Sequence, residues 1–148
     1  MSETVSGGCQ CGRVRYEARI EGRDAYFCHC RMCQRATGGF AAAFVQVEPG
    51  TLRWQGEPEW YESSPIARRP FCARCGTPLG FHFADGGGKP DVTLGSLDDP
   101  TGFAPVVHAG SESLHEAFLD TRDLPRMRSE TTESVAKRWQ AAGREVPD

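Results

Sequence analysis

Apolar and polar residues alternate along this chain in short runs, most of them too brief for a helix and divided by turn residues. Residues 14–18, Val-Arg-Tyr-Glu-Ala, alternate as a half-buried strand does. Residues 40–47 are apolar more continuously and stop at Glu48-Pro49-Gly50, which fits a central strand. Residues 51–55 and 57–61 read as the two arms of a hairpin. Further β-rich segments fall at 67–71, 79–83 and 91–94, with a loop at Asp85-Gly86-Gly87-Gly88 and a stop at Asp98-Asp99-Pro100. Helical spacing is predicted twice. One short helix starts around Cys30 and ends at Gly38-Gly39, a left-handed stop. The other spans 132–142, with Val135, Trp139 and Ala142 on one face and Gly143 behind it. The pattern as a whole is mainly β.

Composition narrows the picture without changing it. A length of 148 residues suits one domain with a modest core, and 17 glycines with 10 prolines agree with many turns. The formal charge of -3 becomes more negative if thiols ionise, which turns the chain away from nucleic acid and from anionic membranes. No run approaches the roughly 18 apolar residues of a membrane span. The first six residues lack the basic and apolar regions of a signal peptide, so a cytoplasmic, reducing location is the expectation. There, clustered cysteines are metal ligands or redox centres more often than disulfides.

All seven cysteines are clustered, in Cys9-Gln10-Cys11, Cys28-His29-Cys30-Arg31-Met32-Cys33 and Cys72-Ala73-Arg74-Cys75. Seven divides into four, which close a tetrahedral zinc site, and three, which leave one position open. The pairs Cys9/Cys11 and Cys72/Cys75 read as a structural Cys₄ site tying the first strand to the middle of the sheet. Cys11-Gly12 and Cys75-Gly76 echo each other; each precedes a strand, as in a zinc knuckle. Alternatives are a redox Cys72-x-x-Cys75 pair and ordinary buried cysteines.

Cys28, Cys30 and Cys33 are the sharper signal. Their spacing curls the backbone so that three sulfurs face one point, with Cys30 and Cys33 on one face of a first helical turn. Unpaired N–H groups there favour thiolates. A water or a soft substrate thiol could complete the coordination. His29 points away from its neighbours in an extended chain, while His82, His108 and His115 could arrive only by folding; a closed Cys₃His site stays open as an alternative. Arg31 and Arg35 flank the turn, either meeting ligand carboxylates or simply solvated. Trp54, Trp60, Phe40 and Phe44 either line a pocket or fill the core. A nucleophile-elbow motif is absent.

The string Gly7-Gly8-Cys9-Gln10-Cys11-Gly12, the middle cluster running on through Gln34-Arg35-Ala36-Thr37-Gly38, and Phe71-Cys72-Ala73-Arg74-Cys75-Gly76-Thr77-Pro78-Leu79 resemble the glutathione-dependent formaldehyde-activating (GFA) family, the S-(hydroxymethyl)glutathione synthase-like proteins. Weaker matches are Thr93-Leu94-Gly95-Ser96-Leu97-Asp98-Asp99-Pro100, Glu112-Ser113 and Leu124-Pro125-Arg126. The resemblance covers about residues 6–127 of a single domain 1–148, leaving a helical tail at about 128–148. It implies an Mss4-like fold of small antiparallel sheets held by zinc, with a short helix after the middle cysteines and a C-terminal helix. It also implies two Zn²⁺ per chain: a structural one on Cys9, Cys11, Cys72 and Cys75, and a catalytic one on Cys28, Cys30 and Cys33. The implied activity is carbon–sulfur lyase chemistry on a glutathione–formaldehyde type of adduct. Where many relatives carry bulky aromatics, between residues 108 and 118, this chain has Gly110 and Ala117. Competing readings are a non-catalytic zinc-stabilised module that binds or carries thiols or protein partners, and a thiol switch at Cys28, Cys30 and Cys33. Edge strands leave room for a homodimer.

Overall fold

The alternation that starts at Val14 becomes β2 (Arg15–Glu21), which buries Tyr16, Ala18 and Ile20 and turns Glu17, Arg19 and Glu21 to solvent. In this computed structural model, which describes residues 1–147, β2 is the middle of a three-stranded sheet. Its neighbours are β1 (Ser2–Gly8) and β5 (Arg53–Gln55), both antiparallel. Polar β1 has little apolar periodicity of its own, and its register is set by pairing along the whole of β2.

A second, seven-stranded sheet runs in the order β10-β3-β4-β9-β8-β7-β6. Its members are β3 (Asp24–Cys28), β4 (Ala42–Gln46), β6 (Glu59–Ser64), β7 (Ala67–Phe71), β8 (Gly80–Phe83), β9 (Asp91–Thr93) and β10 (Ala104–Ala109). Apolar β4 is interior, between β3 and β9, as its composition predicts. Neighbours are antiparallel except β10 and β3, which run parallel with a register shift between Pro105 and His108. The seven-stranded sheet is therefore mixed, whereas the three-stranded one is purely antiparallel.

Two expectations differ from the outcome. Residues 51–55 and 57–61 do not form a hairpin: β5 pairs with β2 and β6 pairs with β7, in different sheets. Pro58 lies in the second arm and offers no N–H to a ladder. Strand β10, with Val106 and Val107 both exposed, lacks the alternation that would announce it.

The helices fall where they are predicted. Helix α1 (Arg31–Thr37) is capped by Cys30, whose sulfur accepts from the Cys33 N–H, and stops at Gly38 in the left-handed region. Helix α2 (Glu133–Ala141) follows a 3₁₀ turn at Ser129–Thr131. By compactness the chain divides into one unit, Met1–His115, holding both sheets and α1, and another that starts at Glu116 and holds α2. Within the first unit Val14, Tyr16, Ile20, Val45, Val47, Leu79 and Val92 make the main core together with Cys9 and Cys72. The buried Tyr16 hydroxyl is satisfied by Ser96 Oγ at 2.8 Å, and Ser96 in turn donates to the Thr93 carbonyl. No helix among the described residues is long and apolar enough to cross a membrane.

Candidate metal centres

The two outer cysteine pairs sit on matching turns. After Cys9, the Gly12 N–H reaches back to the Cys9 carbonyl at 3.1 Å, and the Val14 N–H points at the Cys9 sulfur at 3.3 Å. After Cys72, the Gly76 N–H bonds the Cys72 carbonyl at 2.7 Å. Gly12 and Gly76 have φ of 78° and 83°, a conformation in which a side chain is strained. Thr77 joins the turns, its Oγ1 lying 3.1 Å from the Gln10 N and 3.2 Å from the Cys75 sulfur. Hydrogen bonds from Thr77, first among them the hydroxyl's, draw the Cys75 thiol down to about 5.

Cys9, Cys11, Cys72 and Cys75 present ligand atoms that all lie within 4.8 Å of one another. Cys9 and Cys11 sulfurs are 3.5 Å apart, and Cys11 and Cys72 sulfurs 3.8 Å. Four sulfurs bound at 2.3 Å around a tetrahedral centre stand about 3.8 Å from each other. The donor set and its spacing fit a zinc ion.

The middle cluster also converges. Cys28 ends β3, Cys30 caps α1, and Cys33 lies in the helix's first turn. Their three sulfurs lie within 4.8 Å of one another, and among the described residues no histidine or carboxylate ligand atom joins them at that range. Hydrogen bonding with Cys33 draws the Cys28 thiol down to about 5, while the same shared proton and burial push Cys33 up. Three soft donors without a fourth fit a thiophilic cation with one position left open.

His29 takes no part in this cluster. Its ring is fully buried, Nε2 lies 2.9 Å from His108 Nδ1, and Phe27 and Phe40 pack around it. The end of β10 and the 3₁₀ turn after it (Ser111–Ser113) hold the cysteine turn: the His29 N–H donates to the Ala109 carbonyl, and Gln34 Nε2 to the Ser113 carbonyl. A Cβ at Gly110 would lie 2.6 Å from the Cys30 nitrogen, so an aromatic at this position would collide with the turn.

Sequence reasoning missed Arg69. Strand alternation sends Arg68 out over the Trp60 ring, 4.4 Å from its centroid, and Arg69 inward. Arg69 is 7% exposed, donates from Nη2 to the Cys33 sulfur at 3.3 Å, and lies over the Phe81 ring. Its Nε finds no partner, and among the described residues no carboxylate pairs with the guanidinium. Two adjacent arginines give no sign of which is buried; only the register of β7 decides. Behind the trio Asp91 is buried on β9, its carboxyl pushed up to about 7 by burial against a hydrogen bond from Tyr26. Of the aromatic candidates, Phe44 lines a cavity beside the sulfurs, whereas Trp54 packs edge-on against Tyr16 and Trp60. Arg31 hydrogen-bonds Gln34 of its own helix.

The model of the family described as glutathione-dependent formaldehyde-activating enzyme matches residues 4–113, a span that contains all seven cysteines. Over 80 residues the chain is 31% identical to an uncharacterized lyase of Schizosaccharomyces pombe. That match covers 54% of this chain and 58% of the fission yeast protein, less than two thirds of its length. The crystal structure of a Rhodobacter sphaeroides protein superposes with a TM-score of 0.56 at 24% identity, over 70% of this chain and 98% of the other. This last likeness concerns the fold alone.

Proposed function

This chain belongs to the glutathione-dependent formaldehyde-activating family, and on that premise we propose that it is a carbon–sulfur lyase that joins a thiol to an aldehyde reversibly at a zinc ion held by Cys28, Cys30 and Cys33. The observation that carries the reading is the convergence of three sulfurs, with no fourth protein ligand among the described residues, on the wall of a cavity. Cys9, Cys11, Cys72 and Cys75 would hold a second zinc with a structural role. Zinc at the trio would supply positive charge that favours an ionised substrate sulfur near neutral pH.

The protein's own groups arrange the rest. The thiol's sulfur approaches from the cavity side, where Phe44, Phe81 and Tyr26 give an apolar lining. The new C–S bond forms as the carbonyl π pair moves onto oxygen, and the proton lost by the thiol ends on that oxygen. Arg69 is a positioning residue: its bond to Cys33 fixes that sulfur and offsets the negative charge gathered on the trio. In the reverse direction the same charge steadies the departing sulfur.

The test joins metal analysis with NMR exchange spectroscopy of S-(hydroxymethyl)glutathione. The wild type should carry two zinc ions and hasten exchange between adduct and free glutathione. Cys30→Ser should keep one zinc and lose the acceleration. Unchanged exchange in Cys30→Ser, or a single zinc in the wild type, overturns the proposal. Binding of the adduct without faster exchange would make the protein a carrier instead.

A further inference from the structure

The cavity beside the trio is larger and drier than formaldehyde requires. It has a volume of about 140 Å³ and takes in Cys28, Cys30 and Cys33 at one end. The remaining wall is mostly Tyr26, Met32, Phe44, Ile66, Ala67 and Phe81, with Arg69 as its cation. Phe44 and Ala67, at 1% and 2% exposure, fix the floor of this wall in the core, while Met32 and Ile66 form its exposed rim. An apolar space of about 150 Å³ accommodates a benzene ring, and this one is in addition open toward solvent past Met32 and Ile66. The carbonyl carbon of formaldehyde bears only hydrogen and would leave such a space unfilled. The arms of glutathione are polar, too long for it, and better left in water. The substituent that fits is apolar, four to six carbons long, and attached to the carbon next to the reacting sulfur.

We infer that the aldehyde partner of this protein carries an apolar aliphatic or aromatic substituent, seated in the cavity formed by Tyr26, Phe44, Ile66, Ala67 and Phe81. The inference rests on the reading of Cys28, Cys30 and Cys33 as the site where the thiol reacts, and it replaces formaldehyde by a larger aldehyde. The chemistry balances as before: thiol sulfur bonds to the aldehyde carbon, the π pair moves to oxygen, and the thiol proton follows it. Each methylene moved from water into an apolar wall is worth roughly a fourfold gain in binding.

Binding of preformed 2-mercaptoethanol adducts to the zinc-loaded protein provides the test. The series runs from formaldehyde through propanal to pentanal, followed by protein NMR shifts, with 4-fluorobenzaldehyde read by its ¹⁹F signal. Affinity should rise about 250-fold from the formaldehyde to the pentanal adduct, at four added carbons. In Ala67→Leu, which fills the cavity, the pentanal-to-formaldehyde ratio should collapse toward one. A flat series in the wild type overturns the inference without any variant having to fold, as does an undiminished ratio in folded Ala67→Leu. The other failure is separable: if Cys30→Ser binds every adduct as well as the wild type, the trio is not the reacting site, and both readings fall together.

Discussion

A guanidinium buried without a carboxylate is costly unless something nearby carries negative charge, and for Arg69 that something is the charge shared by the Cys28 and Cys33 sulfurs. Arg69→Met should therefore weaken metal retention at the trio by about 10-fold, in line with other residues that bond to metal ligands. Arg69→Lys should recover part of the loss, and the four-cysteine site should be unaffected in both. Chelator competition on cobalt-substituted protein, read from the sulfur-to-cobalt absorption bands, separates the two centres; equal loosening of both would contradict the assignment. Asp98 makes a different case, at the surface. Arg15 grips both its oxygens and Ser6 Oγ donates to it at 2.6 Å, which together hold its carboxyl down at about 2. Because the folded value lies below the unfolded one, the stabilisation is present above about pH 4 and is lost as pH falls toward 2. The side chains are 39% and 45% exposed, so solvent screening limits the contribution to about 1 kcal/mol. Asp98→Asn should lower Tm by about 3 °C at pH 7 and by much less at pH 2, measured by calorimetry across that range.

At the level of elements, legibility in the sequence follows how local the cause is. Helix α1 was readable because its start and stop are chemical: Cys30 caps it and Gly38 ends it within a few residues. Strands β2 and β4 were readable because one or both faces are buried, and the apolar pattern records that directly. Strand β10 was not readable, since its place depends on pairing with β3, about 80 residues earlier, and not on its own side chains. The false hairpin has the same origin: each arm is a sound strand, and only distant partners decide between pairings. Gly110 shows how closely these long-range contacts bear on the site. It holds φ at 60°, and its missing side chain lets β10 close on the Cys30 nitrogen. Gly110→Ala should cost about 2 kcal/mol in urea denaturation, from left-handed strain and the backbone clash together. It should also loosen metal at the trio before that at the quartet. A stability change near zero would mean that β10 does not clamp the turn.

For the whole first unit, the two cysteine groups differ in what they connect. The quartet joins the turn before β2, in the three-stranded sheet, to the turn between β7 and β8, in the seven-stranded one. Cys11 and Cys72 are 61 residues apart in the chain, so a metal there cross-links the sheets and closes a long loop. The trio joins the end of β3 to a helix that begins three residues later, and closes almost nothing. On the proposed function, stability and chemistry fall to separate ions, the division that the count of sulfurs in the sequence suggests. Graded chelation should reveal it as two events. One zinc should leave with the far-ultraviolet circular dichroism intact, and the second only as the sheets come apart. Cys72→Ser should accordingly lower Tm by more than about 10 °C, whereas Cys30→Ser should lower it by less than about 5 °C. The outcome that contradicts this picture is specific: a Cys72→Ser protein as stable as the wild type would mean that packing of Val14, Val47, Leu79 and Val92 joins the sheets without help from metal.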